Sequence, residues 1–410
     1  MTATDRVHRD PGPSPRGSVL LVGNYLPSIA VARALAAQGY HVIAGDGGEY
    51  STVFASRACH EVWRHDPSRA PGVFLGELLA LLAARPDIRV VMPLITDYVE
   101  IVAGHRPELP PGIVVASPQP EVIEVCLDKA RMLELVRSAG VPERPTLTAG
   151  DAEGVLAAAR EVGLPCVVRP GAETGTHLPH ERKALICEDE AAVRRAVEPW
   201  PPGIPSLMVQ PYVDGPRHNV YFAAREGRIV GSVQSRIVRT DRHDGTGTNV
   251  EAIILASQPR VTELSEAIVG RLGYTGVGLL QFLVPATGDP HFLELNPRHG
   301  AGVAFMIAAG LDLATAAIEL ARPGGTWAPP AGWSPPVGLR YAWVSRDLYG
   351  LLAGRERAEV SPAEGRRWFR NLVRSGVRAD VHGTWDLHDP APTLTVYRHL
   401  LRDRPWRARA

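Results

Sequence analysis

The chain has 410 residues, long for one hydrophobic core, and its 44 basic and 44 acidic residues cancel, so neither nucleic acid nor an anionic membrane is indicated as a partner. Four scattered cysteines (Cys59, Cys126, Cys166, Cys187) show no CxxC spacing, which argues against a zinc site or a disulfide framework. The first 17 residues are rich in proline and charge, lack the apolar core of a secretory signal and read as a disordered tail, and no apolar run reaches membrane-spanning length, so a cytoplasmic protein is expected. Lys129 and Lys183 are the only lysines among many arginines, as in a GC-rich bacterial genome, which gives each retained lysine more weight.

From residue 18 to about 117 strands and helices alternate. SVLLVG reads as a buried strand. Pro27 to Gln38 reads as a helix with proline in its first turn and Gly39 as its stop. YHVIAGD, IRVVMPL and GIVVAS are further strands, and GVFLGELLALLAAR is a helix. Such alternation predicts a doubly wound parallel sheet. The turn GNYLPS holds only Gly23 and lacks the GxGxxG dinucleotide fingerprint, so a scaffold role with a share in a substrate pocket is the better reading.

Residues 118 to 148 bridge to the next unit. Asp128 is placed to cap KARMLELVRSA, which Gly140 closes, so Lys129 lies in the first turn beside the positive end of the helix dipole; either solvent or an anionic ligand accounts for it. DAEGVLAAAREVG follows as a helix, LPCVVRP as a strand ending in Arg169, ALIC as a strand, DEAAVRRAVEPW as a helix and SLMVQPYVDG as a strand. NVYFAAREGRIVGSVQSRIVRT reads as a hairpin turning at Glu226 and Gly227. The polar, glycine-rich RTDRHDGTGTN then carries Arg239, Arg242 and His243 and serves as lid, phosphate loop or plain connector.

The chemistry-bearing stretch is FLELNPRHGAG, Phe292 to Gly302. Alternation puts Phe292, Glu294 and Asn296 on one face and Leu293 and Leu295 on the other. VGLLQFLV precedes it across the turn PATGDP; pairing Val284 with His291 sets Gln281 opposite Glu294. Glu294, Asn296 and Gln281 are hard oxygen donors suited to magnesium, and Arg298 follows where it can neutralise a phosphoryl group. A helix pair is expected after Pro297. A Pro/Gly-rich joint at 323–336 precedes a C-terminal α/β extension, 326–410, in which no catalytic constellation is evident.

Taken in order, DKARMLELVRSAGVP, PCVVRP, MVQPYVDG, and GYTGVGLLQFL followed by FLELNPR resemble the ATP-grasp superfamily, in particular its carboxylate–amine ligase-like branch related to carbamoyl-phosphate synthase. The resemblance implies an α/β fold: a Rossmann-like first domain (18–117), then an ATP-grasp domain (118–325) divided into a small-lobe region (118–205) and a C-lobe (206–325). It implies ATP with Mg2+ or Mn2+ as cofactors. Lys129, Arg169 and Lys183 would meet phosphates, and Met208, Val209 and Gln210 would present backbone groups to adenine, with Leu283 among the nucleotide contacts. Glu294, Asn296 and Gln281 would hold metal, and Arg298, or Arg239 and Arg236 near the polar loop, would hold the reacting phosphate. The implied reaction joins a small-molecule carboxylate to an amine, both expected to be amino acids, through an acyl phosphate, with a bicarbonate-phosphorylating enzyme or a non-catalytic binding module as alternatives; a homodimer is possible. The chain departs from the pattern in its short loop GAETGTHLPHER and in carrying Pro211 and His218 at hinge and ribose positions often held by glutamate.

Overall fold

The computed structural model describes residues 16–23, 25, 27–46, 51–66, 70–171, 184–201 and 203–404. The expected disordered tail falls almost wholly outside these residues.

The first sheet contains β1 (Ser18–Val22), β2 (His41–Asp46), β3 (Glu61–Arg64), β4 (Ile88–Pro93) and β5 (Val114–Val115), all parallel, in the order β3-β2-β1-β4-β5. Every residue of β1 is buried, because helices cover both faces of a parallel sheet. The doubly wound expectation is met. Two elements of this unit escape the sequence pattern. β3 is a four-residue edge strand, and the helix Thr96–Gly104 follows β4 directly and brings Thr96 to the end of the sheet.

The second sheet is antiparallel, with β6 (Leu147–Ala149), β7 (Cys166–Pro170), β8 (Leu185–Cys187) and β9 (Leu207–Pro211) in the order β6-β9-β7-β8. Helices Ala152–Val162 and Glu190–Val197 pack on it through Val155, Leu156 and Val193 against Val168, Leu207 and Val209. Asp151 and Asp189 cap these helices, accepting from the N–H groups of Gly154 and Ala192 at 2.7 Å each.

The third sheet holds β10 (Arg217–Arg225), β11 (Arg228–Thr240), β12 (Asn249–Ile254), β13 (Gly276–Leu283), β14 (His291–Asn296), β15 (Arg340–Ala342) and β16 (Val381–His382), ordered β14-β13-β10-β11-β12-β15-β16. Glu226 and Gly227 both take positive φ, 50° and 77°, as a tight hairpin turn of the primed type requires. One face buries Val220, Phe222, Phe282, Phe292 and Leu295 under helices Lys129–Ser138 and Pro259–Leu272. The other packs Tyr221, Val233 and Leu279 against Phe305, Met306 and Ile318, in one continuous core with Ile29 and Leu35 of the first domain.

β15 and β16, from the segment expected as an extension, are strands of this same sheet. The C-terminal segment also grips the first domain: Arg33 Nε meets Asp389 Oδ2 at 2.9 Å, while Ser56 Oγ and the Arg57 N–H donate to the same carboxylate at 2.5 and 3.0 Å. Among the described residues no helix is long and apolar enough to cross a membrane.

Candidate active site

A cleft of about 930 Å3 opens where the three sheets meet. Its floor is the β13–β14 hairpin. Gln281 stands opposite Glu294, as expected, but by a different route. The hairpin closes with Leu283, not Val284, against His291, and a β-bulge then inserts Leu293 as an extra residue before Glu294. The bulge corrects the expected facing. Phe292 joins Leu295 in the core beneath, while Leu293 and Glu294 both line the cleft.

On the cleft side, Asn296 Nδ2 donates to Glu294 Oε1 at 2.8 Å, and Gln281 Nε2 donates to Asn219 Oδ1 on β10 at 2.8 Å. Both amide groups spend their nitrogens on neighbours, which leaves the oxygens of Asn296 and Gln281 as the donors beside Glu294. One carboxylate and two carboxamides are a hard-oxygen set that fits magnesium sharing its shell with phosphate and water. Among the described residues no group of three or more His, Cys, Asp or Glu forms a cage for a metal by itself.

Pro297 ends β14, and Arg298 reaches the first domain. Its Nε donates to Thr96 Oγ1 at 3.0 Å, and its Nη1 to His299 O at 3.1 Å and Tyr25 Oη at 3.4 Å. Tyr25 Oη in turn donates to His299 O at 2.9 Å, and burial raises its pKa although Arg298 pulls the other way. Among the described residues the partners of Arg298 are all neutral, and no carboxylate lies at ion-pair distance to cancel its charge.

The facing wall carries Lys129, whose Nζ donates to Pro170 O at 2.8 Å, and Arg169, whose Nη2 approaches Leu293 O at 3.4 Å. Arg144, absent from the expected set, joins them. It is 4% exposed, and burial followed by the nearby charge of Arg169 lowers its pKa to about 10. Val167, Ile186, Leu283 and Leu293 give this end of the cleft an apolar lining. Met208, Val209 and Gln210 do not line it. They are buried in β9, where Met208 and Val209 pair with both β6 and β7 and Gln210 pairs with β7; Tyr212 and Val213, just beyond, border the cleft. Lys183 and nearly all of GAETGTHLPHER lie outside the described residues.

The remaining arginines separate by partner. Arg239 lines the cleft but is committed to Glu251 at 2.7 Å and to the 1%-exposed side chain of Asp347 at 2.5 Å. Trp368 Nε1 holds that same Asp347 at 2.6 Å. Arg236 is exposed and lies outside the cleft lining. The glycine-rich loop between β11 and β12 is pinned from within. Asp241 binds Arg346 at 2.6 Å and accepts from the Thr248 N–H at 2.8 Å, and Asp244 pairs with Arg242 at 3.0 Å.

On β10, alternation sends Arg217 and Asn219 into the cleft and His218 into the opposite face, where burial and then Arg236 lower its pKa to about 4. His218 therefore does not line the cleft. Arg217, which the sequence reading passed over, donates through Nη2 to Gly247 O at 2.9 Å. Burial lowers its pKa, with Glu294 the first charge opposing that effect. The period-two pattern of GPRHNVYF is the signal from which Arg217 and Asn219 follow.

Residues 203–346 match a family model described as ATP-grasp in the biosynthetic pathway with Ter operon. The 2-oxoglutarate carboxylase small subunit of Hydrogenobacter thermophilus is 25% identical over 202 residues, covering 46% of this chain and 41% of that protein. The carbamoyl phosphate synthase large chain of Kocuria rhizophila is 28% identical over 214 residues, 50% of this chain and 19% of that one. The chain thus spans less than half the length of these relatives. Among solved structures, a biotin carboxylase–β,γ-ATP complex from Campylobacter jejuni superimposes with a TM-score of 0.61 at 20% identity, covering 79% of this chain and 74% of that one. With the three-sheet architecture and the oxygen-lined hairpin already described, these matches lead to one assignment: the chain has an ATP-grasp fold, and its residues 203–346 match an ATP-grasp family model.

Proposed function

We propose that this protein is an ATP-dependent ligase that activates a small-molecule carboxylate as an acyl phosphate and joins it to an amine, with amino acids as the substrate class. The observation that carries this reading is the convergence of Glu294, Asn296 and Gln281 with the unneutralised Arg298 in one cleft that also holds Lys129 and Arg169. In the first step a carboxylate oxygen bonds to the γ-phosphorus of ATP and the bond to the bridging oxygen breaks, releasing ADP. The amine nitrogen then attacks the carbonyl carbon, the C–O bond to phosphate breaks, and the nitrogen gives up a proton as inorganic phosphate leaves. A carboxylate is a poor acyl donor, and this activation makes the amide bond accessible.

Glu294, Asn296 and Gln281 would hold Mg2+, or Mn2+, which supplies charge neutralisation for the phosphates. Lys129 and Arg169 bind and orient the phosphate chain, while Val167, Ile186, Leu283 and Leu293 enclose the base. Arg298 holds the acyl-phosphate oxygens beside Tyr25, so the acid enters from the first-domain side. Arg239, with its fork taken by two carboxylates, orders the cleft wall rather than the phosphate, and Arg236 has no part in the site. In this reading the first domain, 18–117, supplies the acid site and the ATP-grasp unit, 118–325, the nucleotide site.

The test is hydroxylamine trapping with ATP, Mg2+ and pools of amino and other organic acids. An ATP-dependent hydroxamate is expected from at least one pool. ADP release driven by bicarbonate alone, with no hydroxamate from any pool, would overturn the ligase reading.

A further inference from the structure

Arg217 stands apart from the other cleft arginines by what surrounds it. β10 lies beside β13, with Arg217 opposite Leu283 and Asn219 opposite Gln281, and β13 lies beside β14, with Gln281 opposite Glu294. Adjacent strands therefore carry Arg217, Asn219, Gln281 and Glu294 on the face that lines the cleft. Arg239 has two carboxylates, Arg346 has Asp241 and Arg242 has Asp244. Arg217 has none at ion-pair distance among the described residues. One N–H of its fork meets the carbonyl of Gly247, and its Nε is buried without an acceptor. Tethering a loop carbonyl needs only a neutral donor, so that contact does not account for a half-buried guanidinium whose Nε has no acceptor. A partly desolvated cation with no carboxylate at ion-pair distance is costly unless an anion arrives to meet it.

The charge pattern says which anion. The metal-suited floor contains one carboxylate, Glu294, and neutral amides at 219, 281 and 296. One divalent ion, one glutamate and one arginine present the same net charge to a nucleotide as two divalent ions held by two carboxylates.

We propose that Arg217 is a direct ligand of the terminal phosphate of the nucleotide and takes the electrostatic place of a second metal ion, so that the site works with a single one. This rests on the reading of the cleft as an ATP site. The Gly247 carbonyl fixes one edge of the guanidinium and leaves the Nε edge for phosphate oxygens. A fork held in this way gives two charge-assisted hydrogen bonds to the γ-phosphate and fewer to a diphosphate.

The test compares the full-length wild-type protein with Arg217→Met and Arg217→Lys. Calorimetry gives ATP and ADP affinities with Mg2+, Mn2+ electron paramagnetic resonance gives the number of ions bound with ATP, and thermal unfolding of the free protein reports the loop tether. Wild type is expected to bind one Mn2+ per chain with ATP. Arg217→Met should weaken ATP by about tenfold or more while ADP changes by less than about threefold, and Arg217→Lys should recover part of the ATP loss. Two ions in the wild type, or equal losses for ATP and ADP in both variants with a lowered unfolding temperature, would make Arg217 a loop anchor and overturn the proposal. A wild type that binds neither nucleotide sinks the ATP-site reading itself, whereas nucleotide binding without the ATP-over-ADP discrimination sinks only the role of Arg217.

Discussion

Arg298 and Thr96 meet at 3.0 Å across 202 residues of sequence, and their contact joins the metal-suited hairpin to the first domain. The hydroxyl fixes one edge of the guanidinium without cancelling its charge. The two residues therefore divide the work: Thr96 positions, and Arg298 supplies the charge.

Arg298→Ala is expected to lower the rate of acid-dependent ADP release by ~10²–10³, the scale for removing a group that stabilises developing charge. Thr96→Val keeps the charge and should cost less than about tenfold, mostly in KM for the acid. Steady-state kinetics on both variants checks this. An Arg298→Ala enzyme of undiminished turnover would reduce Arg298 to a strut between domains.

Glu294→Gln should leave the unfolding temperature near that of the wild type and abolish the gain in nucleotide affinity that Mg2+ brings. Because Glu294 is the one carboxylate in its donor set and no group of three or more His, Cys, Asp or Glu exists among the described residues, the free protein should bind Mn2+ only weakly, and tightly once nucleotide is present. Calorimetry with metal alone and with metal plus ADP distinguishes the cases. Tight metal binding without nucleotide would count against the site as drawn.

Two buried histidines predict acid lability. His299, 2% exposed, donates from Nε2 to Leu313 O at 3.2 Å; burial lowers its pKa to about 4, with the Leu313 carbonyl and Asp312 opposing and Arg298 adding to the shift. His218 is lowered to about 4 by burial and then by Arg236. Both stay neutral in the folded protein, while the unfolded chain protonates them near the ordinary histidine value of 6.5. The unfolded state therefore binds more protons between about pH 6.5 and 4, and stability should fall as pH drops through that window, by on the order of 2–3 kcal/mol for His299 and less for His218. Urea unfolding at pH 7 and 5 measures it, and His299→Gln should flatten the slope. An unchanged slope in that variant would remove His299 from the account.

Asp389 fastens the C-terminal segment to the first domain by accepting from Arg33, Ser56 and the Arg57 N–H. Asp389→Ala leaves Arg33 partly buried and short of a partner, and should cost roughly 2–4 kcal/mol of stability. Asp389→Asn, which keeps an acceptor, should cost less. Thermal or chaotrope unfolding tests the pair, and an alanine variant as stable as wild type would show that the clamp contributes nothing.

Local patterns carried much of this protein. The Asp128 cap accepts from the N–H groups of Ala130 and Arg131 at 2.9 and 3.1 Å, the hairpin turns at Glu226–Gly227, and β1 is buried throughout, each as its own stretch of sequence foretells. Short strands such as β3 and β16 were not legible, because two to four residues give too little periodicity and take their pairing from neighbours far along the chain. The burial of Met208 to Gln210 away from the cleft lining was not legible for a related reason: what a strand's residues face depends on what pairs with it and packs on it.

By itself the sequence determined the α/β architecture, the alternation that brings Glu294 and Asn296 toward one surface, and the oxygen chemistry they share with Gln281. Only the tertiary structure decided which arginines are paired with carboxylates. Arg239 is balanced by Glu251 and Asp347, whereas among the described residues Arg217 and Arg298 hydrogen-bond only to neutral partners. It also decided the bulge at Leu293, which turns Phe292 into the core and keeps Glu294 in the cleft opposite Gln281. Periodicity is a property of neighbouring residues, but the neutralisation of a charge and the register of a strand belong to residues that only folding brings together.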